Sequence, residues 1–404
     1  MLSVTDIPEV IQRNIKPRQP IFMAPGEALG LVSASDLRSP ADLPSFSVAL
    51  AEGFAVYAHN LSRGATHLDI VGVSAPEVPF TGNMTSGQCL AVKAGARVPV
   101  GPNCIVPADI ALASVGESIK LEGPVEKGQN ISLAGSMVKR GSLLVIERTL
   151  ITPQRVAAAM AVGTEKVAVF PPPKVAILVS AAGMVEPNES RKEGYLHNYC
   201  WTMLSARFEE LSLRQVEFRG LIAPAEIDWK KILREATKAD ITIVAGVNDL
   251  VEKQVMKEKL AQIGWETLID GIDCIPGGEV FAAKNESGAI FFQIGSANLN
   301  LLTALGEVVQ PTVGRMMGLP LSSPTIIKAR LVKSLVIPSG EGVRFMLGRL
   351  VYRQGEAYTL PIEYSSLDDL SAGAQACGAF LVADTGKELA KDTVVEFHLW
   401  RELL

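Results

Sequence analysis

The stretch from Pro171 to Glu189, PPPKVAILVSAAGMVEPNE, most constrains what this chain can fold into. Three successive prolines cannot continue a helix, so they mark a boundary between two parts of the chain. The apolar, β-branched run from Lys174 to Val179 is typical of a strand that is buried on both faces, as in a parallel sheet. Ligands of open α/β sheets bind beyond the carboxyl ends of such strands. The small residues that follow, Ser180 to Gly183, therefore predict backbone N–H groups that approach a phosphate or a ring, or else a tight connection to the next helix.

After Pro173, strand patterns alternate with helix patterns. The predicted strands are VAILVS, QVEFRGLI, ITIVAG, ETLIDGI and AIFFQIG, and long helical segments separate most of them. This alternation predicts a doubly wound α/β domain. Before it, residues 59–127 show short alternating strands with Gly and Pro turns, and alternating strands return from Ser322 onward. The chain is therefore predicted to combine one α/β domain with two β-rich units.

Bulk properties exclude several classes of function. With 404 residues the chain is too long for one core. Its net charge of −5, with scattered Lys and Arg, gives no basic surface for nucleic acid and no polybasic membrane patch. No apolar run approaches the roughly 20 residues that span a bilayer, and the amino terminus does not resemble a signal peptide. Five cysteines without a CxxC pair, and four dispersed histidines, predict reduced thiols, no dedicated metal site and a cytoplasmic location.

Several motifs resemble one family along essentially the whole chain. EALGLVSASDLRSPADLPSF resembles that family's EALGRVLAxDLxSPxDLPxF segment, and GARVPVGPNCIV resembles TGAPVPEGADAVV. PPKVAILVSAAGMVEP is similar to RPRVAILSTGDELVxP, and ADITIVAGVNDLVEKQ is similar to ADLVITSGGVSVGDYD. On these motifs the chain resembles the molybdopterin molybdenumtransferases, of the MoeA and gephyrin E-domain type.

The resemblance implies an architecture and an activity. It implies a multi-domain α/β plus β chain, with a linker or dimerisation domain at residues 1–43 and 129–170 and an inserted β-rich domain at 44–128. A molybdopterin-binding-like α/β domain would span 171–320, and a β-barrel-like domain 321–404. The family inserts molybdate into adenylylated molybdopterin and forms homodimers, whose pocket lies between the α/β domain of one subunit and the inserted domain of the other. Molybdopterin or its adenylylated form is therefore the expected ligand, and magnesium is compatible with the family's chemistry.

The acidic positions of the family match only in part. Where the family reads DNSAMDGYA, this chain keeps a carboxylate only at Glu52, and in the loop after ITIVAG it keeps one at Glu252 and gains Asp249. These three are the candidate catalytic residues. Glu52 could instead be a solvated charge, and Asp249 a helix N-cap. The family's acidic pair in STGDEL falls on Gly183 and Met184, which removes carboxylates that would hold magnesium.

The ligand-binding candidates lie in loops that match the family only in part, and one of these loops has lost the family's lysines. The family's KPGKP becomes Ile275 to Glu279, IPGGE, in which only the proline and Gly277 remain. The candidate ligand-binding residues, taken from the matching loops, are Ser180, Gly183, Asn198, Gly246, Asn248 and Gly277. Asn198 also stands where a helix N-cap is expected.

Two functions follow as hypotheses. The first is a molybdenum-cofactor biosynthesis protein with an altered and weakened site, because cations and carboxylates that stabilise phosphate and metal are missing. The second is a catalytically inactive homologue, a pseudoenzyme, that binds or scaffolds another protein of the cofactor pathway.

Overall fold

The computed structural model describes residues 1–62, 66–115, 118–121, 124–180, 183–191, 193–222, 227–247, 249–320, 323–337, 339, 342–383 and 386–400, of which 110–115 and 231 are described by their backbone alone. The chain folds into several sheets with helices packed mainly on one of them. The α-helices are Ile7–Asn14, Pro153–Ala161, Tyr199–Glu210, Trp229–Ala236, Leu250–Gln262, Asn298–Ala304, Gln310–Met316 and Leu370–Gln375. No helix in these ranges is both long and apolar enough to cross a bilayer.

The amino-terminal part contains a small sheet and a larger one. The small sheet orders its strands Ile21–Met23, Val167–Phe170 and Val32–Ser33. The larger sheet has six strands, in the order Cys104–Pro107, Gly53–Val56, Gln88–Val92, Thr66–Ser74, Ser118–Leu121 and Ala111–Val115. Two-stranded pairs, Val48–Ala49 with Ile131–Ser132 and Leu37–Arg38 with Leu143–Val145, join the segments before and after the larger sheet. The β-rich character predicted for residues 59–127 is therefore present.

The central sheet, which positions the candidate site, has six strands in mixed directions. Their order is Val216–Ile222, Val175–Ser180, Ile241–Ala245, Ile290–Ile294, Val280–Lys284 and Glu266–Asp270. The first four are mutually parallel, and Val280–Lys284 runs antiparallel to both neighbours. Every residue of Val175–Ser180 is buried, as its apolar run predicts, because helices cover both faces of the sheet.

The strand Val280–Lys284 was not predicted from the sequence. Its five residues, VFAAK, follow a glycine-rich loop and show no polar–apolar alternation, and three of them are alanine or lysine, which have low β propensity. The segment becomes a strand because it pairs with Ile290–Ile294 on one side and with Glu266–Asp270 on the other. Because of this antiparallel strand, the sheet departs from the strict alternation of parallel strands and helices that the sequence predicts.

The carboxy-terminal sheet closes on itself. Its strands are ordered Cys274–Ile275, Val343–Arg353, Glu356–Pro361, Thr325–Leu331, Val394–Leu399 and Gly378–Val382. Because Val343–Arg353 pairs with Gly378–Val382 as well, the last five strands form a ring, which is a small barrel. The barrel interior contains the fully buried rings of Phe380 and Phe397. A further pair, Leu335–Val336 with Glu388–Leu389, lies beside it.

A long interrupted helix connects the central sheet to the barrel. A π-helical turn, Leu305–Val309, links Asn298–Ala304 to Gln310–Met316 and accommodates Pro311, which has no N–H to donate. The turn carries Glu307, which is 4% exposed and accepts a hydrogen bond of 2.5 Å from the indole N–H of Trp400. The Nδ1 of His398 lies 2.9 Å from the same carboxylate. These contacts attach the last barrel strand to the helix.

Candidate active site at the carboxyl ends of the central strands

The crevice predicted by the topology lies between two neighbouring strands. From Val175–Ser180 the chain passes through one helix to the outer strand Val216–Ile222, and it then returns on the other side to Ile241–Ala245. Strand order reverses at this point, and ligands of open α/β sheets bind in the crevice that such a reversal creates. Among the described residues, Ser180 and Ala245 end the two strands at its mouth, and Gly246 follows Ala245.

Gly246 allows two loops to meet at the floor of this crevice. Its φ is +99°, and its N–H donates to the carbonyl oxygen of Ile294 at 2.8 Å. A Cβ at this position would lie 1.9 Å from the carbonyl oxygen of Ser180 and 3.3 Å from the Cβ of Ser296. Only glycine fits, because a side chain would displace the end of the neighbouring strand. The glycine at position 246 thus allows its backbone to lie close to the backbone of Ser180.

Two buried polar groups beside the crevice have no partner in the described part of the chain. They are the hydroxyl of Ser180, which is 2% exposed, and the side-chain N–H₂ of Asn198, which is 0% exposed. The other end of the Asn198 amide accepts the N–H of Trp201 at 3.1 Å and so caps the helix Tyr199–Glu210. A buried polar group without a partner costs about 1–3 kcal/mol. A ligand that supplies acceptor oxygens would satisfy both groups.

The start of the capped helix is fixed against the next loop. The hydroxyl of Tyr199 donates to the carbonyl oxygen of Ser296 at 2.8 Å, and the thiol of Cys200 lies 3.7 Å from the same oxygen. Burial raises the pKa of the Cys200 thiol to about 12 and also raises the pKa of Tyr199. Both groups are therefore protonated at neutral pH, so they act as hydrogen-bond donors and not as nucleophile or base.

The predicted phosphate-binding loop is only partly described. Gly183 has φ +72°, and its carbonyl oxygen accepts the N–H of Leu196 at 2.8 Å, which joins the short strands Met184–Val185 and Leu196–His197. Residues 181 and 182 lie outside the described residues, as does Asn248. The expected contribution of their N–H groups and of the Asn248 side chain stays a prediction.

Asp249 and Glu252 are both occupied by contacts within the chain. One oxygen of Asp249 accepts the N–H groups of Val251 and Glu252, at 2.9 and 3.0 Å, and caps the helix Leu250–Gln262. A carboxylate oxygen of Glu252 accepts the indole N–H of Trp229 at 2.9 Å. The cap also neutralises the positive end of the helix. The start of this helix therefore has little positive charge left to attract an anionic ligand.

The loop that follows the cis Ile275–Pro276 bond is held by the helix behind it. The N–H of Gly277 donates to the side-chain oxygen of Asn300 at 3.0 Å, and a Cβ on Gly277 would lie 2.6 Å from the methyl group of Thr303. The loop ends at Glu279, one oxygen of which lies 2.7 Å from the position of a Cβ on Gly295. The loop thus places a carboxylate at the edge where the resembled family carries lysine.

The one cation that the described contacts bring to this edge is Lys253, which the sequence analysis missed. Its ammonium lies 3.9 Å from a carboxylate oxygen of Glu279, and its side chain is 17% exposed. The helical spacing from the Asp249 cap could have revealed it, since position 253 begins the second turn and lies on the flank that faces the sheet. With Asp249, Glu252 and Glu279 nearby, the charge of this edge remains negative.

Glu52 lies apart from the other candidates. It precedes the strand Gly53–Val56 of the six-stranded amino-terminal sheet, where its side chain is 63% exposed and lies 3.4 Å from the ammonium of Lys93. Within one chain, the structure therefore brings together Ser180, Gly246 and the loop of Gly277 but leaves Glu52 in another sheet. Among the described residues, no group of three or more His, Cys, Asp or Glu is placed to hold a metal ion.

Comparison with known proteins points to one family. Residues 2–163 match a family model described as the MoeA N-terminal region (domain I and II). A molybdopterin molybdenumtransferase of Staphylococcus aureus is 22% identical over 381 residues, which are 92% of this chain and 89% of that protein. One of Haemophilus influenzae is 23% identical over 307 residues, 75% of this chain and 74% of that protein.

Solved structures resemble the fold along its whole length. A molybdopterin biosynthesis MoeA protein of Pyrococcus horikoshii has a TM-score of 0.86 to this chain at 21% identity, and the match covers 100% of both chains. Another structure of a MoeA protein from that organism has a TM-score of 0.75 at 22% identity and covers 99% of this chain. The mixed α/β and β architecture predicted from the sequence is thereby confirmed.

Proposed function

Because this chain belongs to the MoeA family, we propose that it acts in molybdenum-cofactor biosynthesis and binds molybdopterin in the crevice beyond Ser180 and Gly246. The name of its relatives, molybdopterin molybdenumtransferase, supports the ligand. The main support for the proposal is the pair of buried groups on Ser180 and Asn198 that have no partner among the described residues; Ser180 ends the strand Val175–Ser180 and Asn198 caps the next helix. They match the polar atoms of a ring or the oxygens of a phosphate.

We further propose that the site is a weakened catalyst. Asp249 and Glu252 serve a helix cap and an indole N–H, and the lone cation Lys253 is already close to Glu279. Each missing electrostatic contact to a developing charge costs about 3 kcal/mol in the transition state. Transfer of molybdenum onto the adenylylated substrate is therefore expected to be slow.

The described carboxylates do not fit a dedicated magnesium site. Magnesium requires near-octahedral oxygen ligands, usually from one or two carboxylates together with phosphate. Here one oxygen of Asp249 already accepts two N–H groups, while Glu252 and Glu279 have partners of their own. These carboxylates therefore do not supply a magnesium-dependent step.

Calorimetric titration of the full chain with molybdopterin and with adenylylated molybdopterin, each with and without magnesium, tests the ligand. We expect binding of molybdopterin in about the micromolar range, with little response to magnesium. Ser180→Ala should weaken binding about five- to tenfold, because it removes one hydrogen bond. Ser205→Ala is the matched control, since the Ser205 hydroxyl donates to the carbonyl oxygen of Thr202 within its own helix. Absence of binding at millimolar ligand would overturn the proposal.

A second function is favoured by the surface next to the crevice. Leu250 and Val251, in the first helical turn after Asp249, are 79% and 69% exposed. Apolar side chains at the mouth of a site are typical of a surface that binds another protein. The alternative is therefore an inactive homologue that binds a protein of the cofactor pathway. A molybdate-insertion assay separates the two, because the inactive homologue would bind molybdopterin without turnover.

We also propose that the chain forms a homodimer through its amino-terminal part, in the cytoplasm. Several large apolar side chains there are exposed, including Phe22 at 72%, Met160 at 62% and Leu150 at 45%. All five cysteines are free and buried, which suits a reducing compartment. Light scattering should give the mass of two chains, and Phe22→Asp should shift the mass toward one. A mass of one chain for the unmodified protein at micromolar concentration would overturn the dimer.

A further inference from the structure

A cavity of about 720 Å³ lies at the end of the central sheet opposite the crevice. The end of the helix Trp229–Ala236, the turn after Leu250–Gln262 and the hairpin at residues 285–287 line it. These segments stand at the amino ends of the strands Ile241–Ala245 and Ile290–Ile294. Its volume falls within the range of about 300–1,000 Å³ that is usual for sites of small molecules.

One face of the helix Trp229–Ala236, with the residue that follows it, forms a wall of the cavity. Lys230, Leu233, Arg234 and Thr237 all line it, and their spacing of three, four and seven residues places them in one stripe. Leu233 is 9% exposed and belongs to the core, while Lys230 and Arg234 are exposed. The stripe therefore presents two cations above an apolar floor.

Neither cation has an ion-pair partner in the described part of the chain. By contrast, Glu235 on the same helix lies 3.4 Å from Arg219 and 3.0 Å from Lys238. Like charges four residues apart on a helix repel each other. An anion held between Lys230 and Arg234 would remove that repulsion.

The rest of the lining suits an apolar group beside that anion. Ile263 is 49% exposed and Trp265 is 5% exposed, and both line the cavity. The carbonyl oxygen of Leu260, at the end of the neighbouring helix, already accepts the N–H groups of Ile263 and Trp265 at 3.2 and 3.0 Å. The partial negative charge at this helix end is therefore largely compensated. Among the described residues that line the cavity, Glu286 is the single acid.

We propose that this cavity binds a small amphiphilic anion, with a carboxylate or phosphate head between Lys230 and Arg234 and a compact apolar body over Leu233 and Ile263. Charge-assisted hydrogen bonds from the two cations hold the head, and burial of the apolar body adds affinity. This site stands independently of the crevice and of the function proposed for it.

Methyl NMR of the full-length protein, labelled at Ile and Leu, tests the site with phenyl phosphate as the probe. Methyl signals of Leu233 and Ile263 should shift saturably, while those of Leu250 at the opposite edge stay in place. Phenol, which lacks the charge, should bind at least about tenfold more weakly. Lack of a saturable shift at Leu233 and Ile263 with about 10 mM phenyl phosphate would overturn the proposal.

Variants separate the two halves of the site. The double variant Lys230→Gln, Arg234→Gln should bind phenyl phosphate at least about tenfold more weakly than the unmodified protein does. Lys139→Gln with Arg140→Gln, which removes two exposed charges without ion pairs among the described residues, should leave binding unchanged. Ile263→Gln should weaken the binding of phenyl phosphate but not the binding of inorganic phosphate. The assignment would be refuted if the unmodified protein and the Lys230/Arg234 variant bound phenyl phosphate equally well. It would also be refuted if the unmodified protein bound phenyl phosphate and phenol with the same affinity.

Discussion

Replacing Gly246 by alanine should test how tightly the crevice is built. The new Cβ would lie 1.9 Å from the carbonyl oxygen of Ser180, whereas real contacts of this kind are not shorter than 3.0 Å, so the two strand ends must separate by about 1.1 Å. Such overpacking costs about 1–3 kcal/mol. The φ of +99° adds about 1–2 kcal/mol for a residue with a side chain. We therefore expect Gly246→Ala to lower the free energy of unfolding by about 2–5 kcal/mol.

The matched control is Gly288→Ala in the same sheet region. Gly288 has φ +86°, but a Cβ there would meet nothing within 4 Å, so only the conformational cost of about 1–2 kcal/mol applies. Denaturant unfolding followed by tryptophan fluorescence suits the comparison, since Trp229 and Trp265 lie in the core of the central domain. If both variants lose the same stability, the close approach between the strand ends contributes nothing and the reasoning is wrong.

Three further predictions concern groups outside the crevice floor. Glu307→Ala should lower the free energy of unfolding by about 3 kcal/mol, because the buried indole of Trp400 and ring of His398 lose their acceptor, and Glu307→Gln, measured the same way in denaturant, should lose less. Burial raises the pKa of the Cys274 thiol to about 12 from 9.0, so the unfolded chain ionises first and stability should fall as pH rises from about 9 toward 12; a flat alkaline profile in thermal melts would contradict this. Asp249→Ala should cost about 1 kcal/mol through loss of the helix cap, and Asp249→Asn, which keeps the acceptor, should restore most of it in urea titrations.

Local signals in the sequence located much of the fold. The strand Val175–Ser180 follows from its apolar run, and all of its residues are buried. For Asn198 and Asp249 a helix N-cap was the alternative to a role in the site, and their side chains accept N–H groups of the helices that they precede. Each of these features depends on residues that are close to one another along the chain, so a single sequence is enough.

Features that depend on distant partners were not accessible in the same way. The strand Val280–Lys284 forms because two other strands pair with it, and Glu252 is bound by Trp229, which is 23 residues away. The approach of Lys253 to Glu279 likewise requires the sheet to be assembled. The chemical state of the candidate site is set by such contacts between distant residues, which resemblance to a family does not give.

The ring of five strands in the carboxy-terminal unit has a consequence for aggregation. Because Val343–Arg353 also pairs with Gly378–Val382, each of these five strands has a neighbouring strand on both sides among the described residues, so the ring has no outer strand to which a strand of another molecule could add. In the central sheet, the outer strand Val216–Ile222 is paired on one side only, and it carries Glu217 and Arg219. Charged side chains on an outer strand discourage such addition. Substituting both by valine should therefore create a variant that aggregates, whereas the ring of strands, as far as the structure describes it, has no outer strand of this kind.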